Sequence, residues 1–343
     1  MVDINSLVRD NVRDLIPYSS ARDEFQGKEG IFLDANENPY GKLNRYPDPY
    51  QKELKLQISK IKQVPEENIF LGNGSDEIID LTYRTFCRPG VDKALSFPPT
   101  YGMYEVCAGV NDINFIKIPL TDRFQIDKEK AVSALDDPFL KLIFICSPNN
   151  PTGNSLDFTD IESIIAGSRC IVLIDEAYSD FSGKQSFKTI TGKYPNLIVM
   201  QTFSKAFGLA AARIGMAFAD QQIVKYFNKL KPPYNISSLN QRAALRQLAH
   251  YEKSLDQVRR IIKERERMRT ALAKLKIVEK IYPSDANFLL VRIWNPDYIY
   301  NTLADKNIIV RNRSRIIPGC LRITVGTRME NNKLLAELNR IKV

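Results

Sequence analysis

Lys205 lies in Gln201-Thr-Phe-Ser-Lys-Ala-Phe-Gly-Leu-Ala210, just beyond an apolar run at 197–201 and flanked by hydroxyls and small residues. A lysine so placed is suited to a Schiff base with a carbonyl. Upstream stand Asn149-Asn-Pro-Thr-Gly153 and Asp175-Glu-Ala-Tyr178, each after its own strand-like run. Together these segments bring an amine, a carboxylate, a phenol and an amide to the ends of adjacent strands. Such groups can hold pyridoxal phosphate and use it as an electron sink, which points to amine chemistry.

Each piece has a task. Asp175 ends the run Ile-Val-Leu-Ile-Asp, where a carboxylate can pair with the pyridine nitrogen and keep it protonated. Tyr178 and Asn150 can hydrogen-bond the cofactor's phenolic oxygen. Arg213, eight residues after Lys205, can make a bidentate phosphate contact, with Thr202 and Ser204 adding hydroxyls. Gly72-Asn-Gly-Ser-Asp-Glu77 leads into an apolar helical pattern, and such a turn into a helix start offers free backbone N–H groups to a phosphate. Taken alone, an ordinary Ser-capped helix explains that stretch equally well. Tyr101, in Pro98-Pro-Thr-Tyr-Gly-Met-Tyr104, can stack on the cofactor ring, although a single aromatic is more often core. The coincidence of these pieces carries the reading.

The elements that must position them follow from periodicity. Apolar runs at 93–97, 113–118, 141–146, 170–174, 197–201 and 214–219 read as strands, and amphipathic stretches at 127–135 and 157–166 fill gaps between them. This alternation predicts an α/β fold with a mostly parallel sheet flanked by helices, whose ligands bind beyond the strands' carboxyl ends. A helix is expected from Tyr50, and one long or broken helix over 239–274. Strands near 288–293, 308–311 and 321–325, with helices near Pro296 and after Arg328, predict a smaller α+β domain. The expected division is an N-terminal arm and part of the small domain at 1–43, a large cofactor-binding domain at 44–238, and a small C-terminal domain at 239–343.

Composition removes other classes. With 343 residues the chain is long enough for two closely docked domains. Its net charge of +9 comes from 49 basic residues interspersed with 40 acidic ones, without a basic tract, so no nucleic-acid partner is expected. No apolar run is long enough for a membrane span, and residues 1–13 lack the apolar core of a signal peptide. Five widely spaced cysteines without a C-x-x-C pair read as reduced and structural, which fits a cytoplasmic protein without a bound metal. The single histidine, His250, rules out a histidine-based triad or multi-histidine metal site within the chain, leaving lysine as the natural proton carrier.

The same strings resemble the fold-type I pyridoxal-phosphate aminotransferases, and within them the histidinol-phosphate group, from end to end. They include Pro17-Tyr-Ser-Ser-Ala-Arg22, Leu33-Asp-Ala-Asn-Glu-Asn-Pro39, Arg45-Tyr-Pro-Asp-Pro49, Ser284-Asp-Ala-Asn-Phe288 and Cys320-Leu-Arg-Ile-Thr-Val-Gly-Thr327, besides the cofactor motifs. The resemblance implies that Lys205 links to the cofactor and then carries the proton between Cα and C4′, with Asp175 and Tyr178 as catalytic partners. It implies that Gly74, Ser75, Thr202, Ser204 and Arg213 surround the phosphate, with Asp76, Tyr101 and Asn150 also on the cofactor. It implies a homodimer with shared active sites, Tyr46 reaching the partner's cofactor. Tyr18, Asn36, Asn287, Arg311 and Arg322 would line the substrate side.

The substrates implied are histidinol phosphate and glutamate or 2-oxoglutarate. One pocket must then accept two carboxylates, or a phosphate and an imidazole, and Arg311 with Arg322 offers charge either anion can use. The run Arg311-Asn-Arg-Ser-Arg315 is basic enough to favour a phosphorylated substrate, although Arg313 and Arg315 also fit a solvated charge run. Three other readings stand beside this one: an aromatic amino-acid aminotransferase, a phosphothreonine decarboxylase-like lyase, and a regulator that only senses pyridoxal phosphate. The last should carry a DNA-binding domain, for which the chain has no room outside the enzyme fold.

Overall fold

A computed structural model describes residues 2–18 and 30–341. Residues 19–29, which include Arg22 and part of the expected N-terminal arm, lie outside the described residues.

The strands, in chain order, are β1 (Ile69–Asn73), β2 (Lys93–Ser96), β3 (Asn114–Lys117), β4 (Leu140–Cys146), β5 (Ile171–Asp175), β6 (Leu197–Thr202), β7 (Ile214–Phe218), β8 (Val278–Ile281), β9 (Phe288–Ile293), β10 (Arg311–Asn312) and β11 (Cys320–Thr324). Among the described residues, β1 to β7 form one seven-stranded sheet in the order β1-β7-β6-β5-β4-β2-β3. Strands β4, β5 and β6 are almost wholly apolar because helices cover both faces, as the burial of every residue of β5 and β6 shows. Side chains of alternate strand positions enter two separate cores, one holding Val172, Ile174 and Val199, the other Ile171, Leu173 and Ile198.

The parallel expectation holds except at β7, which runs antiparallel to both β1 and β6. The cause is the length of the connection at 203–213. It is too short for the helical crossover that a parallel neighbour requires, about a dozen residues or more. The chain therefore turns straight back, and this return carries Lys205 and Arg213 across the sheet's carboxyl edge.

The second sheet, β10-β11-β9-β8, is antiparallel throughout. Helices Tyr251–Leu272, Pro296–Asp305 and Arg328–Arg340 pack against it around Met268, Leu272, Leu289, Val291, Ile299 and Leu334. Helix Tyr251–Leu272 links the two units, burying Val258 in the core of the larger sheet and Met268 and Leu272 in that of the smaller. The helix expected over 239–274 is broken at His250, which separates Ser238–Ala249 from Tyr251–Leu272 and is exposed. Strand β8 had no clear apolar signal, because its charged Glu279 and Lys280 are exposed. The run expected at 308–311 is strand only from Arg311.

All five cysteines are free and buried. Among the described residues no helix is long and apolar enough to cross a membrane.

Candidate active site

A cavity of about 390 Å³ opens at the carboxyl ends of the parallel strands. Its floor and walls come from Ser75 and Asp76 after β1, Tyr101 after β2, Asn150 after β4, Asp175 and Tyr178 after β5, and Thr202, Ser204, Lys205 and Arg213 around the β6–β7 return. The smaller sheet closes it with Arg311, Arg313 and Arg322. Strand topology thus gathers residues that are far apart in sequence.

Lys205 Nζ lies 5.6 Å from the centre of the Tyr178 ring. Burial lowers the lysine's pKa, and the nearby Arg322 and Arg213 lower it further, against the pull of Asp175 and Asp76. The cavity thereby favours a neutral, nucleophilic amine. Tyr178 is buried against the edge of Phe288 in β9, and burial raises its pKa, so its hydroxyl stays a donor.

Asp175 is 4% exposed. Its Oδ2 accepts from the Tyr104 hydroxyl at 2.6 Å and its Oδ1 from the Ala177 N–H at 3.0 Å. Burial raises its pKa, opposed by these two hydrogen bonds. A buried carboxylate of this kind is suited to a cationic ligand atom that offsets its desolvation. Tyr104 had no assigned role in the sequence reading. Its three-residue spacing from Tyr101 within one aromatic motif was the available signal.

At the opposite end, helix Ser75–Phe86 begins at Gly74, which has φ +81° and no side chain to cap the first turn. The leading N–H groups of a helix lack intrahelical partners and attract anions. A Cβ on Gly74 would stand 2.5 Å from Arg213 Nη2, so the glycine lets the guanidinium close over the helix start. Arg213 Nη2 donates to Asp76 Oδ2 at 3.1 Å, and the Tyr101 hydroxyl donates to Asp76 Oδ1 at 3.1 Å. Thr202 Oγ1 donates to Ser204 Oγ at 3.1 Å and accepts from the Ser204 N–H.

Across the cavity, Arg322 donates through Nη1 to Asn150 Oδ1 and lies over the Phe288 ring, 5.2 Å from its centre. Asn150 is therefore engaged with an arginine of the smaller sheet as well as lining the cavity.

Four expected residues stand apart from this cavity within the chain. Tyr46 stacks on Tyr234 at 4.4 Å and, with Asn36, lines a separate cavity of about 460 Å³. Tyr18 is 75% exposed. Asn287 precedes β9, where its carbonyl accepts from the Val325 N–H.

The aminotransferase class I and II family model matches residues 28–338. The chain belongs to this family. A histidinol-phosphate aminotransferase of Cytophaga hutchinsonii is 50% identical over 339 residues, covering 97% of each chain. The structure of this aminotransferase is similar to that of the histidinol-phosphate aminotransferase from Clostridium acetobutylicum, with TM-score 0.79 at 26% identity, covering 87% of this chain and 90% of that one. It also matches the fold of the Sinorhizobium meliloti histidinol-phosphate aminotransferase in complex with pyridoxal-5'-phosphate, with TM-score 0.80 at 22% identity over 89% of this chain and 88% of that one.

Pyridoxal phosphate is the cofactor of this family, and the cavity of this aminotransferase fits it. A lysine of lowered pKa, a buried carboxylate with no cationic partner in contact among the described residues, and a helix start without a side-chain cap beside Arg213 match the aldehyde, the ring nitrogen and the phosphate.

Proposed function

We infer that this chain is a pyridoxal-phosphate-dependent aminotransferase interconverting L-histidinol phosphate plus 2-oxoglutarate and imidazole-acetol phosphate plus L-glutamate, a step of histidine biosynthesis. The observation that carries this reading is the convergence of Lys205, Asp175 and the arginines of β10–β11 on one cavity. The 50% identity to a histidinol-phosphate aminotransferase supports the substrate.

When bound, the cofactor supplies a carbonyl for amines and a ring that accepts the electron pair left at Cα. Lys205 would be the covalent anchor and the base for the Cα proton, its burial lowering the pKa of the amine. Asp175, held by Tyr104 and the Ala177 N–H, which oppose the upward shift that burial gives its pKa, would pair with the ring nitrogen. Tyr178 and Asn150 orient the ring through its phenolic oxygen. The start of helix Ser75–Phe86 at Gly74 and Ser75, with Thr202, Ser204 and Arg213 around it, would hold the phosphate, while Asp76 steadies Arg213 and Tyr101, which would cover the ring. Arg322, steadied by Asn150 and Phe288, takes the substrate anion together with Arg311.

The proposed assembly is a homodimer with shared active sites. Tyr46 and Asn36 open onto a cavity away from their own chain's cofactor, which supports service to a partner. In that assembly Tyr18 and Asn287 complete the substrate side. Five buried free thiols support a reducing, cytoplasmic location.

The test is to mix cofactor-loaded protein with L-histidinol phosphate alone and follow the cofactor spectrum. Conversion to the pyridoxamine form, reversed by 2-oxoglutarate, is the expected result. An unchanged spectrum would remove histidinol phosphate as substrate, faster conversion with aromatic amino acids would favour those donors, and release of CO2 from phosphothreonine would make the protein a lyase.

A further inference from the structure

The three arginines at the substrate end outnumber what a carboxylate needs. Arg311 is directly opposite Arg322 in the β10–β11 ladder, and Asn312 is opposite Leu321. The Arg313 N–H continues the pairing by donating to the Cys320 carbonyl at 2.9 Å. Side chains alternate along a strand, so Arg311 and Arg313 share a face, and the cross-strand Arg322 joins them there. Asn312 points the other way, donating to Asp297 Oδ1 at 2.5 Å.

Like charges opposite one another in a ladder destabilise it. Burial lowers the pKa of Arg313, and the nearby Arg322 and Arg311 lower it further, with Tyr178 the one group acting in the opposite sense. Among the described residues no carboxylate acts on it. The Nε atoms of Arg313 and of Arg322 are both buried without a hydrogen-bond acceptor among the described residues. Burying guanidinium donors unpaired is costly, and these two sit in one cavity beside a third cation.

We propose that Arg313 is the specificity-determining residue for a phosphate monoester dianion, adding the donors and charge that a carboxylate does not require. This rests on the function inferred above and deepens it. In the transamination cycle one pocket must bind glutamate and the phosphorylated donor in turn. A bidentate guanidinium satisfies a carboxylate, and Arg322 with Arg311 provides it. A phosphate offers more acceptor oxygens and, above its second pKa of about 6, a second negative charge. Arg313 supplies what that difference calls for.

The experiment measures the two half-reactions separately in the cofactor-loaded wild type, Arg313→Gln and Arg313→Lys. The expected result for Arg313→Gln is a loss of roughly 10- to 100-fold in kcat/KM for histidinol phosphate, against a change of about threefold or less for glutamate. Arg313→Lys should recover part of the loss. The wild type should lose affinity for histidinol phosphate as pH falls through about 6, and Arg313→Gln should show a weaker dependence. Equal losses in both half-reactions, or no loss in either, would overturn the proposal. If the wild type fails to use histidinol phosphate, the function reading fails by itself. Competition by inorganic phosphate against glutamate then decides the role of Arg313: weaker competition in Arg313→Gln supports it, and unchanged competition overturns it.

Discussion

The hydroxyl of Tyr104 donates to Asp175 Oδ2 at 2.6 Å, with both side chains buried. Tyr104 is itself fixed, its ring stacked on Phe144 at 5.0 Å and its carbonyl accepting from the Tyr83 hydroxyl at 2.8 Å. The core of the larger sheet thus sets the protonation of the proposed catalytic carboxylate. Removing the donor in Tyr104→Phe leaves burial less opposed and moves the Asp175 pKa further up. Activity should fall by roughly 10-fold or more, and the acid limb of the kcat/KM profile should shift to higher pH. A pH profile of the variant checks this, and a limb that stays in place would remove Tyr104 from the role.

Asp175 should favour function over stability. Its folded-state pKa is raised above the ordinary carboxylate value, so the folded, cofactor-free protein keeps this proton to higher pH than the unfolded chain does. The ionised form therefore costs stability. That cost is absent below the ordinary value of about 4 and complete once pH has passed the raised one. Asp175→Asn should match or exceed the wild-type Tm of the cofactor-free protein near neutral pH, with the gap closing toward acid. Its transaminase activity should nevertheless drop roughly 100-fold or more. Thermal melts across pH test the first part, and a variant clearly less stable at neutral pH would contradict it.

Lys205→Ala should slow the half-reaction by about 10²- to 10⁴-fold while leaving the phosphate grip of Arg213 and the helix start intact. Cofactor should therefore still bind, without covalent attachment. Single-turnover absorbance measurements, with a small primary amine added to restore part of the rate, distinguish a missing base from a disrupted fold. An undiminished half-reaction would exclude Lys205 as the proton carrier.

Gly215→Ala tests the anion end without replacing a polar side chain. A Cβ there would lie 2.6 Å from the Ser75 nitrogen and from the Gly74 carbonyl carbon, both backbone atoms that cannot swing aside. Strand β7 and the start of helix Ser75–Phe86 would have to separate, at a stability cost of about 1–3 kcal/mol. Cofactor affinity should weaken in parallel because the N–H groups move away from Arg213. Titration with pyridoxal phosphate together with a melting curve reads both effects, and normal values for the two would mean that this close approach is not needed.

Much of the lining of the candidate cavity was legible in the primary structure. Lys205, Asp175, Tyr178, Asn150 and Arg213 stand in short local motifs at strand ends, and apolar periodicity alone places those ends along one edge of a sheet. Strand type followed from the same source, because a strand buried on both faces must be almost continuously apolar, as β5 and β6 are. What the tertiary structure decided is set by distance across the fold. The reversal of β7 depends on the short return at 203–213, the Tyr104–Asp175 hydrogen bond joins side chains 71 positions apart, and the Asn150–Arg322 contact joins two sheets. Arg313 shows the difference most directly. In the sequence the basic run at 311–315 suggests a phosphorylated substrate while Arg313 also fits a solvated charge run, and β-ladder register is what turns it inward beside Arg311 and Arg322. A local pattern specifies which faces are buried; which distant residues meet on those faces is specified by packing and register.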